Sequence, residues 1–365
     1  MSWATGCATP SIRGTSDHRK EARPVSHVRM TPITDAKAWR GETLAREASW
    51  IATLTEAEIA DIDRALATAK ASGLGLEAIQ REHFPLTVMR ARLEQAVTEM
   101  YDGRGFVVLR GLPVRRYSDD DVGLIFWGFG RYMGGPLYQN PQGELLGHVY
   151  DHGRTYGNID VRGYETNAYL PYHTDAGDMV GLLCLRRGLE GGLSSIVSSV
   201  TVHNEILAQH PEYLGLLYSG YYYIRREAAL TERGVSERPI PIYGHQDGVV
   251  SCRYIRNQIN AGAVKREVPL TTFERAALDF LDEQTRRADL RLDMNLEPGD
   301  IQFINNYTIL HSRTGFVDGP EPDQKRHMLR LWLKFPKPWP LSPEFPTHLG
   351  YKPNKDTPEL VEAET

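Results

Sequence analysis

The chain has 365 residues, 41% of them hydrophobic, with 42 Lys and Arg against 47 Asp and Glu and a formal net charge of −5; this is the balance of a globular protein long enough to bury a substantial core. Charges of both signs are interspersed, so neither a nucleic-acid-binding stripe nor a polybasic membrane patch stands out, and the expected partner is a small molecule, with no nucleic acid and no membrane. The three cysteines, Cys7, Cys184 and Cys252, include no CxxC pair, which argues against a disulfide framework or a cysteine zinc site and for a reducing, cytoplasmic location.

No apolar run approaches the roughly 18 residues that a membrane span needs, and the N-terminus lacks the apolar stretch of a secretion signal. Residues 1–29 are polar and without hydrophobic period, and residues 1–40 are expected to form a flexible tail; an upstream start ahead of Met30 and a transit peptide are the other readings. Order is expected from near Trp50. Thr55-Glu56-Ala57-Glu58 is a capping box, followed by Ile59, Ile62, Leu66 and Ala69 at helical spacing, with Gly73 as the stop. A second helix is expected from Leu86 to Tyr101. Gly103-Arg104-Gly105 then opens the β-branched run FVVLRGL, read as a strand. Ser118 caps a helix whose Val122, Ile125, Phe126 and Phe129 face a core. Its glycine-rich end, GFGRYMGG, follows a helix rather than a strand and lacks the GxGxxG spacing, so it reads as a helix end and not a nucleotide loop.

From Gly163 the texture changes to short apolar runs broken by Gly, Pro and Asp: MVGLLCL, SSIVSSV, GYYYIRR, GVVSCRYI and DIQFIN. Two helices interrupt them, one after Thr201 and one capped by Thr271. Many short strands with turns between them indicate an antiparallel barrel or jelly roll with helices packed outside, a mixed α/β (α+β) architecture. With no internal repeat or flexible linker, residues 41–365 are expected to form one domain, helical over 50–102 and β-rich over about 103–336. The polar segment 225–243 is read either as a lid or as a plain surface excursion.

The His-x-acid pairs include His173-Thr174-Asp175, His203-Asn204-Glu205 and His245-Gln246-Asp247. Side chains two apart share a face in a strand and diverge by about 200° in a helix. The second pair lies in the helical TVHNEILAQHP and is rejected as a chelate. The third sits beside an Asp-Gly turn and reads as a solvated loop. The first, in LPYHTDAGD, immediately precedes the apolar run MVGLLCL and is best placed to line a barrel mouth. A third ligand is offered by His311 in LEPGDIQFINNYTILHSRTGF, since two histidines and a carboxylate on one face of an octahedron leave three positions open. Downstream, Arg326 and Arg330 stand four apart in RHMLRLWL, on one side of a mostly apolar strand. A guanidinium buried there needs an anion, and its planar fork suits a carboxylate.

Taken in order, YHTD, GGLS (Gly191 to Ser194), HNE, PGD, NNYTILHSRTGF and RHMLRLWL resemble the Fe(II)/2-oxoglutarate-dependent dioxygenases of the TauD/TfdA and clavaminate synthase-like group, over about Gly103 to Pro336. The resemblance implies a double-stranded β-helix, that is a jelly-roll core with flanking helices, and His173, Asp175 and His311 as catalytic iron ligands. It also implies Arg326 on the distal carboxylate of 2-oxoglutarate with help from the Ser194 hydroxyl, and Arg330 facing an anionic group of the substrate; the assignment between Arg326 and Arg330 is open. The implied activity couples decarboxylation of 2-oxoglutarate, with O2, to succinate and CO2 with hydroxylation or a related C–H oxidation of a small anionic substrate. Retention of Asp175 sets the chain apart from related halogenases, which lack that ligand. The competing readings are a cupin-type metal oxygenase or isomerase without 2-oxoglutarate, and a non-catalytic jelly-roll binding protein. A homo-oligomer is compatible with the helical N-terminal third. Tyr164, Asn167 and Tyr307 flank the expected mouth.

Overall fold

The stretch His327–Lys334, HMLRLWLK, is mostly apolar on both faces, and a strand of that kind needs a covering layer on each side. The computed structural model describes residues 27–140, 142–155, 161, 163–224 and 234–345. Its N-terminal part comprises α1 (Gly41–Leu44), β1 (Ile51–Thr53), α2 (Glu56–Ala71), α3 (Met89–Tyr101), β2 (Phe106–Arg110), α4 (Asp119–Met133), β3 (Gly135–Pro136) and β4 (Leu146–Val149). The middle contains β5 (Leu170–His173), β6 (Met179–Arg186), β7 (Glu190–Gly191), β8 (Ser194–Ser198), α5 (Ser199–Gln209), α6 (Pro211–Ser219), β9 (Tyr243–Gln246) and β10 (Val249–Cys252). The rest is α7 (Arg256–Lys265), α8 (Thr272–Arg286), β11 (Arg291–Met294), β12 (Ile301–Asn305), β13 (Ile309–Arg313), β14 (Phe316–Val317) and β15 (His327–Lys334).

A seven-stranded sheet runs β1-β2-β12-β6-β15-β3, with β4 also on β15, and a four-stranded sheet runs β11-β8-β13-β5. All these pairings are antiparallel except β1 with β2. The period-two alternation of the strands sorts their side chains into layers. Phe106, Val108, Met328 and Trp332 of the large sheet pack against Ile196, Leu292 and Ile309 of the small one. On the outer face of the large sheet, Leu329, Leu331 and Leu333 meet Ile62, Leu93 and Phe126 from α2, α3 and α4. On the outer face of the small sheet, Val197 and Leu310 meet Ile206, Leu214 and Leu281 from α5, α6 and α8. The order is helices, large sheet, small sheet, helices, and the two inner faces enclose the site.

Local signals explain the helix starts. Thr55 and Thr271 both form complete capping boxes, and Ser118 caps α4. The expected start of α3 at Leu86 moves to Met89. The cap comes from elsewhere in the chain: the Asp61 carboxylate of α2 accepts from the backbone N–H of Thr87, Val88 and Met89 at 2.8 to 3.0 Å.

The tail boundary at residue 40 also needs correction. Ile33 and Trp39 are buried, and the Asn204 side chain clasps the backbone of Ile33 through both its amide atoms. The Trp39 indole donates to the Arg104 carbonyl at 2.9 Å. Two apolar anchors in a polar stretch carry no periodicity, so packing before Trp50 leaves no sequence pattern. Residues 1–26, which include Cys7, and 225–233, the first half of the segment 225–243, lie outside the described residues. No described helix is long and apolar enough to cross a membrane.

Candidate functional site

A cavity of about 170 Å³ opens between the sheets, lined by His173, Asp175, Ser194, His311, Arg326 and Arg330 among others. All six residues expected to carry chemistry therefore meet in one place. The pairing of β5 with β13 sets His311 directly opposite His173, and the two rings lie 4.2 Å apart. Asp175 follows β5 in the turn to β6. The buried Asn306 fastens that turn, accepting from the Asp175 N–H at 2.9 Å and donating to the carbonyls of Asp175 and Gly177 at 2.7 Å. The β12–β13 connection that leads to His311 thus also grips the backbone of Asp175.

The donor atoms of His173, Asp175 and His311 all lie within 4.8 Å of one another, the one such group among the described residues. His173 Nε2 is 3.8 Å from Asp175 Oδ1, and His311 Nε2 is 3.8 Å from Asp175 Oδ2. These separations are too long for hydrogen bonds. His173 donates from Nδ1 to the Pro171 carbonyl at 2.8 Å, which leaves its Nε2 lone pair toward the carboxylate. His311 Nδ1 is buried without a hydrogen-bond partner. Burial pushes His173 down from its ordinary value and His311 down to about 3. For Asp175 burial works upward, but the Arg330 charge and the Trp332 hydrogen bond hold it at about 2. Two neutral imidazoles and an ionised carboxylate, converging without bonding one another, are a donor set for one divalent cation with open coordination positions.

Arg326 precedes β15 and is only 7% exposed. Its guanidinium lies over the Phe316 ring at 5.2 Å, and its Nη1 has no hydrogen-bond partner. Burial lowers it to about 10, which leaves it charged at neutral pH. Gly192, at φ +70°, makes room for it: a Cβ there would stand 3.0 Å from Arg326 Nε. Ser194 opens β8 on the same cavity.

Arg330 is more constrained. Its Nε donates to Gln139 Oε1 at 2.7 Å, Nη1 lies 3.4 Å from Asp175 Oδ2, and its plane is held between Tyr164 at 4.7 Å and Trp332 at 4.4 Å. Tyr164 is thus a wall of the site. Tyr307, in contrast, is buried with its hydroxyl on Asp178 at 2.6 Å, and Asn167 is exposed and outside the lining. His203 is buried in α5 beside the Tyr218 hydroxyl, while Glu205 pairs with Arg40 and Arg287. His245 and Asp247 flank the β9–β10 turn, where Asp247 has φ 51°. Trp332, Asn306 and Gln139 are not among the residues that the sequence points to. Trp332 alone had a readable signal, since it shares the even-numbered face of β15 with Arg330.

Residues 68–332 match the family model described as taurine catabolism dioxygenase TauD, TfdA family. FR-33289 synthase of Streptomyces rubellomurinus is 30% identical over 326 residues, 87% of this chain and 94% of that protein. The taurine hydroxylase-like protein SAT17 of Stachybotrys chartarum is 29% identical over 313 residues, 82% of this chain and 79% of that one. Among solved structures, asparagine oxygenase with Fe(II), 3-hydroxyasparagine and succinate aligns with a TM-score of 0.61 at 18% identity, covering 78% of this chain and 93% of that one. The non-heme iron oxygenase OrfP with Fe and alpha-ketoglutaric acid aligns at 0.58 and 18%, covering 78% and 94%.

Proposed function

From the premise that the chain belongs to the TauD/TfdA family and is an Fe(II)- and 2-oxoglutarate-dependent dioxygenase acting on a small molecule, we propose that His173, Asp175 and His311 hold the iron. Arg326 and Ser194 bind the distal carboxylate of 2-oxoglutarate, and Arg330 meets an anionic group of the substrate. The two facing sheets are read as the double-stranded β-helix of the family, and the buried thiols Cys184 and Cys252 fit a reducing cytoplasm.

Bound in this site, Fe(II) with 2-oxoglutarate and O2 supplies the oxidising chemistry, in which 2-oxoglutarate becomes succinate and CO2 and a substrate C–H bond is hydroxylated. The protein's own work is binding, orientation and exclusion of water. Neutral His173 and His311 keep their lone pairs for the metal, and ionised Asp175 contributes charge. Arg326 presents two N–H groups of one guanidinium edge to a carboxylate, with the Ser194 hydroxyl as a further donor. Arg330 has its Nε and one edge committed to Gln139 and Asp175, so its Nη2 is the group left to meet an anionic substrate. Val149, Leu170, Ala176 and Ile255 line the apolar remainder of the cavity.

The observation that carries this reading is Arg326: a buried cation with an unpartnered Nη1, facing the cavity of the His-Asp-His cluster. An isolated buried charge costs several kcal/mol, and a dicarboxylate co-substrate removes that cost. A cupin-type oxygenase without a 2-oxoacid leaves the cation unanswered. The test is anaerobic addition of Fe(II) and then 2-oxoglutarate to the purified protein, following the weak visible charge-transfer band of the chelate. A saturable band is expected, absent in His311→Ala; iron binding with no band on adding 2-oxoglutarate would refute the co-substrate assignment.

A further inference from the structure

We propose that Trp332 is a positioning residue for the iron site: its indole N–H fixes the Asp175 carboxylate so that Oδ1, not Oδ2, is presented to the metal. The inference rests on the His173-Asp175-His311 reading and adds to it a residue two positions beyond Arg330.

Trp332 lies on the inner face of β15, paired with Val180 of β6, and is 4% exposed. Its Nε1 donates to Asp175 Oδ2 at 2.9 Å, and Arg330 Nη1 approaches the same oxygen at 3.4 Å. Both donors therefore fall on one oxygen. Oδ1 receives no side-chain donor; it stands 3.8 Å from His173 Nε2 and Oδ2 the same distance from His311 Nε2, so the two donors on Oδ2, not the histidines, distinguish the oxygens. A carboxylate oxygen already engaged by an indole N–H and a guanidinium is the poorer metal donor, so the free oxygen coordinates and the carboxylate binds through one atom. The indole plane does a second job: Arg330 Cζ lies 4.4 Å from its centroid, so one side chain orients both groups that reach Oδ2.

The turn carrying Asp175 is shaped for this contact. Gly177 passes so close that a Cβ there would come within 3.1 Å of Trp332 Cβ, and the Asn306 amide holds the turn from the other side. A buried indole N–H needs some acceptor in any protein, so the alternative is that Asp175 merely satisfies Trp332. The two differ in what happens to metal affinity when only the N–H is removed.

Trp332→Phe deletes the donor and keeps a ring beneath Arg330. In anaerobic calorimetric titration of the full chain with Fe(II), the variant is expected to bind about 10- to 100-fold more weakly than wild type, the usual effect of losing an outer-shell partner, with circular dichroism and unfolding temperature close to wild type. Affinity within twofold of wild type in a folded variant would overturn the proposal. A variant that does not fold is replaced by a measurement on the intact protein, using 15N-labelled tryptophan: of the six indole signals, the Trp332 resonance should shift in Asp175→Ala and on adding Zn(II) to wild type. An indole spectrum unchanged by either would equally overturn it. Asp175→Ala keeping full Fe(II) affinity would bring down the metal assignment itself. If Asp175→Ala loses iron while Trp332→Phe keeps it, only the positioning role of Trp332 fails.

Discussion

His173-x-Asp175 and His203-x-Glu205 are the same three-residue pattern placed on two different backbones. At the end of β5, His173 and Asp175 project into one cavity, with Nε2 and Oδ1 3.8 Å apart. In α5 the pattern splits. His203 turns inward to the Tyr218 hydroxyl and the Tyr243 ring, while Glu205 faces outward between Arg40 and Arg287. His173 is half-buried and His203 fully buried, and both carboxylates have cationic neighbours, so composition and charge do not tell the regions apart. The backbone does: in α5 positions two apart diverge, whereas Asp175 sits in the turn after β5 that Asn306 fastens, which brings its carboxylate back toward His173.

Substitution of the acids separates the two regions most strongly. Asp175→Ala removes the charged member of the cluster and is expected to abolish turnover and lower Fe(II) affinity at least 100-fold in anaerobic titration. Glu205→Ala should leave both unchanged and cost about 1 kcal/mol in urea unfolding, because its partners Arg40 and Arg287 are themselves partly exposed. Loss of iron in Glu205→Ala, or its retention in Asp175→Ala, would reverse the reading of the two regions.

A smaller effect separates Arg326, just before β15, from Arg330 within it. Arg326→Ala is expected to raise the KM for 2-oxoglutarate about 100-fold or more, the cost of losing a charge-assisted bidentate contact, with less effect on the primary substrate. Arg330→Ala should instead weaken iron binding modestly, through its 3.4 Å contact to Asp175, and raise the KM of an anionic substrate. If Arg330→Ala is the variant that loses 2-oxoglutarate, the two roles exchange.

The sequence made legible what depends on neighbours in the chain. Capping at Thr55 and Thr271 and the alternation along Met328 to Leu333 are short-range and appear in the structure at the expected residues, whereas Arg326 lies before β15, beyond a register shift at His327, and Asp175 lies in the turn after β5 rather than in a strand with His173. The cavity unites Ser194, His311, Arg326 and Arg330 with that pair, but only the ordered set of motifs pointed to their meeting. What stayed hidden is long-range. Asp61 capping α3, Ile33 clasped by Asn204, Asn306 gripping the Asp175 turn and Gln139 committing Arg330 are side-chain contacts between distant segments. No periodicity marks them, because each involves a single polar residue whose partner is set by the tertiary fold.

The finest distinction between the regions is in proton binding. Burial depresses His203 to about 4, with His245 and Arg29 adding in the same direction. An unfolded histidine titrates near 6.5. The folded value lies below the unfolded one, so the unfolded chain takes up the proton first, and stability falls as pH drops through about 6.5 and continues to fall toward 4. For one such group the loss is about 2 kcal/mol at pH 5. His327, also lowered to about 4 by burial with His148 and Arg186, adds to the slope and must be present in both proteins compared. His173 and His311 are depressed in the same sense, but a bound divalent cation competes with their protons, so metal should flatten their share and leave that of His203 untouched. His203→Phe keeps a ring against Tyr243 and removes the titration. Its unfolding free energy should therefore fall less than that of wild type between pH 7 and pH 5, whether or not metal is present. An identical pH dependence in the two proteins would mean that His203 is hydrated and that its pair differs from His173-x-Asp175 in more than backbone direction.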